Sequence, residues 1–191
     1  MAITSLSTSS LVSGVKRKRF WDQNAVANSY FSIATTTVGA GNASNIEFTN
    51  IPQTYTHLQI RGILRNTTAL ANNRIQFNSD TGANYSWHEL YGDGASAGSG
   101  ASSGASYMYA GNHPTTSSTF AVYVIDILDY RDTNKFKTVR TLSGYDLNGS
   151  GVVGLRSGNW RSTSAITSIK LYPSSNSFAQ YSSFALYGVL A

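Results

Sequence analysis

The sequence predicts an all-β fold, an antiparallel β-sandwich of jelly-roll type, and three observations carry that prediction. Short apolar runs recur at intervals of about ten to fifteen residues, several with the two-residue alternation of a pleated strand. Between them stand Gly39-Ala40-Gly41-Asn42, Asp80-Thr81-Gly82, Asp93-Gly94, Asn148-Gly149 and Ser174-Ser175-Asn176, turn chemistries in which Gly and Asn accept a positive φ. No stretch carries a helical period for long enough to make a major helix.

Taken in order, residues 1–28 are a polar, Ser- and Thr-rich lead followed by a basic-aromatic segment, and they read as an N-terminal arm; residues 29–191 read as the sandwich domain. The expected strands are 30–38, 45–48, 55–64, 74–78 and 85–91, then 106–110, 119–130, 135–142, 151–155 and 165–172, and a closing strand. In the last of these, Phe184 and Leu186 fall on one face and Ala185, Tyr187 and Val189 on the other, so the chain finishes inside a sheet. Strand 119–130 is apolar on both faces through its first half and should be central. Its Asp126 would cost several kcal/mol if buried alone, so it is expected to be paired or near a rim, with Arg140 or Lys137 as the candidate partner. Segment 94–104 is Gly, Ala and Ser throughout, and is expected as an outside loop or a strand-edge extension packed by neighbouring subunits.

Composition narrows the function. The chain of 191 residues fits one well-cored domain with an arm, and it has no cysteine, which removes disulfides, thiolate metal sites and a thiol nucleophile. Only 12% of residues are charged, and Ser, Thr, Asn and Gly fill the polar positions, a balance nearer to adhesins and particle shells than to cytosolic enzymes. The net charge of +5 divides into +3 for residues 1–28, from Lys16, Arg17, Lys18 and Arg19 against Asp22, and +2 for the rest, ten basic against eight acidic groups. A nucleic-acid footprint spread over the domain is therefore not expected. Absence of an eighteen-residue apolar run argues against membrane insertion, and the basic run follows the weakly apolar stretch, the wrong order for a secretory signal.

Chemistry-bearing constellations are incomplete. His57, His88 and His113 lie in separate segments without metal-ligand spacing, so no metal and no cofactor are expected. The Asp146–Gly151 stretch opens like a calcium loop but lacks the closing carboxylate, and reads as an Asn-Gly hairpin. Asp126, Asp129 and Asp132 cluster in sequence, yet the last two flank a turn; catalysis is not expected. Binding is better served. Trp87, His88, Tyr91, Tyr107 and Tyr109 bracket the Gly-Ser segment, and Trp160 with Arg161 follows in a second aromatic site. These residues suit a glycan or protein docking surface, or else fill the core or a subunit contact. In the arm, Lys16, Arg17, Lys18, Arg19, Phe20 and Trp21 suit an anchor on a larger acidic assembly better than a nucleic-acid contact.

Five stretches carry a family resemblance: residues 51–62 (IPQTYTHLQIRG), 77–87 (FNSDTGANYSW), 124–130 (VIDILDY), 137–140 (KTVR) and 183–188 (SFALYG). As a set they resemble small β-sandwich structural proteins of tailed bacteriophages, especially cyanophage-like phages, over about residues 45–191. The resemblance implies a non-enzymatic virion protein, foremost a tail-fibre or fibre-like module that forms a homotrimer, holds to other virion proteins through its arm and presents loops to the host surface. Two alternatives stay open: a capsid decoration or cement protein, and a glycan-binding or glycan-degrading virion protein using Trp87, Tyr91 and Trp160 as its platform.

Overall fold

A computed structural model describes residues 29–68 and 72–190. The expected arm of residues 1–28, with Lys16 to Trp21, lies outside the described residues. Those residues form twelve strands: β1 (Tyr30–Thr37), β2 (Ile46–Phe48), β3 (His57–Leu64), β4 (Asn73–Phe77), β5 (Tyr85–Gly92), β6 (Ala97–Ala105), β7 (Met108–Gly111), β8 (Ala121–Leu128), β9 (Lys137–Asp146), β10 (Gly151–Trp160), β11 (Ile169–Pro173) and β12 (Ser183–Val189). All strand pairs are antiparallel. A large sheet runs β1-β12-β3-β8-β9-β10-β5-β6, and a small one β2-β11-β4-β7 packs on it to make a β-sandwich.

Strand parity builds the core. Ile60 of β3, Ile125 and Ile127 of β8, and Phe184 and Leu186 of β12 point inward to meet Ile75 and Phe77 of β4 and Ile169 of β11, all essentially without exposure. Each such side chain contributes about 1.5–3 kcal/mol on burial. The closing strand lies between β1 and β3, with Phe184 opposite both Thr36 and Gly62, so the C-terminal strand is an interior member of the large sheet. At Gly158 the two sheets approach so closely that a Cβ would collide with the Met108 sulfur of β7.

Differences from the sequence reading have local causes. Of the two expectations for the small-residue segment the strand edge holds: β6 begins within it and pairs with β5 as an edge strand, since backbone pairing needs no large side chain. Strand β10 continues beyond residue 155 to Trp160, held between β9 and β5. The β9–β10 connection is the expected hairpin: Asn148 and Gly149 have φ of 60° and 115°, and the Leu147 N–H donates to the Ser150 carbonyl at 2.7 Å. Asp126 faces outward and accepts from Gln59 Nε2 at 2.7 Å and Arg140 Nη2 at 3.4 Å. Lys137, three residues from Arg140, points to the opposite face and does not meet Asp126.

Candidate functional site

The inner face of the large sheet carries a polar network that the residue pattern did not announce. Arg156 of β10 is 2% exposed and points toward the small sheet. Its Nε and Nη2 donate to Glu89 Oε2 of β5 at 3.0 and 2.9 Å, its Nη1 donates to Ser143 Oγ of β9 at 2.8 Å, and the guanidinium stands 4.4 Å from the Tyr109 ring centroid. Gly154, two residues back on the same face, leaves room: a Cβ there would lie 2.6 Å from Arg156 Nη1. The Gly154-x-Arg156-x-Gly158 spacing was thus a readable signal, with glycines flanking a cation on one strand face.

From Arg156 the hydrogen bonds run on across the interior. Tyr109 OH donates to Asn112 Oδ1, and Tyr123 OH donates to the Asn112 carbonyl at 2.6 Å while accepting from Asn73 Nδ2 at 2.8 Å. Asn66 Nδ2 donates to Asn73 Oδ1 at 3.1 Å and to His113 Nδ1 at 3.2 Å, and His113 Nε2–H donates to the Thr68 carbonyl at 3.2 Å. Burial holds the phenols in their neutral form, raising the Tyr109 pKa to about 12 and Tyr123 further, and it lowers that of His113 against the opposing pull of Thr68. The network thus ties side chains of the large sheet to Tyr109 and Asn73 of the small one and locks the two sheets together.

A second buried cation closes one end of the sandwich. Lys137, fully buried, donates from Nζ to the carbonyls of Asp132, Lys135 and Thr163, the last two at 3.0 and 3.1 Å. Burial lowers its pKa, with the nearby Asp132 charge acting in the opposite sense. The neighbouring Asp129 and Asp132 share Lys135, at 2.5 and 3.5 Å, and Asp129 also meets His57 Nδ1 at 3.4 Å. Among the described residues no group of three or more His, Asp or Glu side chains could hold a metal ion.

The expected aromatic surface is dispersed. Trp160 is 2% exposed, stacks on Tyr85 at 6.4 Å and donates from Nε1 to Asp80 Oδ2 at 2.7 Å, so it belongs to the core and not to a platform. Tyr109 is buried on Arg156, and Trp87, half-buried on the inner face, meets the Tyr109 ring edge-on at 5.3 Å. Tyr91 lies across Gly98 of β6, and Tyr107 is covered by the Arg74 guanidinium at 3.9 Å. Of the seven residues proposed for surface contact only His88 and Arg161 are exposed; His88 faces outward opposite Ser157, and Arg161 stands 5.9 Å from the Phe136 ring. Strand parity turns Trp87 and Trp160 inward, which composition alone does not reveal.

What the surface does present is apolar, and it lies on the outer face of the large sheet. Cross-strand pairing aligns Ile63, Val122, Gly144 and Val153 in one row, and Arg61, Val124, Leu142, Leu155 and Leu90 in the next. Ile63, Val122, Leu142, Val153, Leu155 and Leu90 are between 48% and 59% exposed. The following row changes character: Tyr187, Gln59, Asp126, Arg140, Ser157 and His88. One half of the outer face is thus a contiguous aliphatic patch across five strands, and the other half is mainly polar, with Leu128 its one large exposed aliphatic among the described residues. Comparison with protein-family models, with curated proteins and with solved structures finds no match to this chain.

Proposed function

We propose that this chain is a non-enzymatic structural component of a bacteriophage virion, a fibre-like module that assembles as a homotrimer and is anchored by residues 1–28. The observation that carries the reading is the aliphatic half of the outer face, since a folded domain that keeps six large aliphatic side chains about half exposed on one flat sheet is one that another surface covers. The phage assignment rests on the sequence resemblance. It gains support from the placement of the motifs, because 51–62, 124–130, 137–140 and 183–188 contribute to β3, β8, β9 and β12, four adjacent strands of the large sheet. Such motifs specify a scaffold, and the interior cations Arg156 and Lys137 are likewise committed to holding it.

Quantitative mass spectrometry of purified particles, with labelled antibody to place the chain, tests the reading. A few copies at the tail are expected; hundreds over the head would replace the fibre with a decoration protein, and absence from the particle would end the virion assignment. Deleting residues 1–28 is expected to abolish incorporation while leaving a folded domain.

A further inference from the structure

We infer that the aliphatic half of the outer face is the surface through which copies of this chain meet, each patch packing on the same patch of its neighbours. The inference rests on the assembly reading above and adds which of the available surfaces is used. Three properties of the patch select another copy of the chain as its occupant.

The first is its chemistry. Ile63, Val122, Leu142, Val153, Leu155 and Leu90 are branched aliphatics on a pleated surface, the side chains that fill the space between stacked sheets, and Gly144 lies level among them. The only charged group in the two rows is Arg61, at the margin, where its guanidinium sits between the rings of Tyr30 and Tyr187 at 5.7 and 5.9 Å and its Nε donates to Gln59. The six aliphatic positions themselves carry no charge, so they repel nothing when they meet their own kind, whereas a strongly charged partner would find no counter-charge among them.

The second is area. A half-exposed Leu, Ile or Val presents roughly 90 Å², so the six together offer on the order of 550 Å² per copy, and about 1,100 Å² when two patches meet, which approaches the lower limit of a specific interface. Val124, partly buried in the same row, adds to it.

The third is shape. Five strands at about 4.8 Å span roughly 19 Å. Three such faces closed around a common axis along the strands bring each sheet within about 5–6 Å of that axis, half of the ~10 Å that separates stacked sheets. The aliphatic side chains then fill the centre. The polar row with Asp126, Arg140 and His88 follows one step further along the same strands and bounds the patch at that end.

Sedimentation velocity of the full chain at micromolar concentration, wild type against Leu142→Ser/Leu155→Ser, tests this directly. The wild type is expected at a multiple of the monomer mass. The double variant is expected to associate about a hundredfold more weakly with an unchanged far-ultraviolet spectrum, and Thr138→Asp, on the polar half, to associate as the wild type does. A monomeric wild type overturns the inference, as does a double variant that associates normally. A two-copy mass that is lost in the double variant keeps the interface and removes the homotrimer, so the two readings fail separately. Should the double variant lose its fold, Val153→Thr, which keeps β-branching at a single exposed position, is expected to weaken association with native structure; undiminished association would count against the patch.

Discussion

The two faces of β10 carry opposite chemistry in the opposite places. Toward the small sheet the strand presents Val152, Gly154, Arg156, Gly158 and Trp160; toward the outside it presents Val153, Leu155, Ser157 and Asn159. An arginine is inside and a leucine beside it is outside. Sorting by hydrophobicity would shift the strand by one residue and reverse every side chain. Convergence decides otherwise: Glu89, Ser143 and Tyr109 arrive from β5, β9 and β7 to satisfy the guanidinium, and Leu155 joins a row of aliphatics that the single chain leaves about half exposed. The inner face therefore answers to the fold of one chain, and the outer face is the one proposed for contact between chains.

Substitutions separate the two faces by the size of their effect. Leu186→Asp, which puts a carboxylate into the fully buried row of β12, is expected to abolish cooperative folding, as read by loss of the thermal transition. Arg156→Leu leaves the Glu89 carboxylate, 13% exposed, without the cation it pairs with and is expected to cost about 3–5 kcal/mol in denaturant unfolding. A double Arg156→Leu/Glu89→Leu change should recover part of that loss, because no charge is then stranded. Lys137→Met removes the donor shared by three carbonyls and is expected to cost about 2 kcal/mol by the same measurement.

Acid gives a subtler reading of the interior. The buried His113 ring resists protonation while the unfolded chain takes up a proton near the ordinary pKa of about 6.5, so stability is expected to fall as pH drops below that value and to level off below the native pKa. His113→Gln can keep both hydrogen bonds without titrating, and is expected to flatten this part of the profile. Asp80 behaves in a lower range: burial raises its pKa, but hydrogen bonds from Trp160, Asn84 and Gly82 outweigh this and hold it below the ordinary carboxylate value. Its contribution is present above about pH 4 and is lost as pH falls through the native pKa, and His113→Gln should leave that second loss in place.

Much of the framework was legible because a pleated strand with one dry face writes its period into the sequence. The runs 30–38, 55–64 and 119–130 and the closing strand all map onto strands, and Phe184 and Leu186 point as their alternation required. For β6 the sequence left loop and strand-edge extension open, since Gly, Ala and Ser give no contrast between faces, and the pairing with β5 selects the strand edge. The choice between Arg140 and Lys137 as partner of Asp126 was open to parity, as residues three apart on a strand face opposite ways. The choice between surface and core for the aromatics turned on the same parity: the facing of Trp87 and Trp160 is set by the register of β10 with β5 and β9, and it puts both inside. The aliphatic patch needed the sheet order itself, because Ile63 of β3 and Leu90 of β5 are distant in sequence from the β9–β10 hairpin that carries Leu142 and Leu155, and only pairing brings them together.

The most direct test compares two neighbouring residues, Arg156→Leu and Leu155→Asp, by unfolding in dilute protein and by sedimentation at higher concentration. The account predicts that Arg156→Leu destabilises the domain by several kcal/mol, whereas Leu155→Asp stays within about 1 kcal/mol of the wild type and dissociates the assembly. The reverse pattern, an unfolded Leu155→Asp and a stable, fully assembled Arg156→Leu, would contradict it and place β10 the other way round.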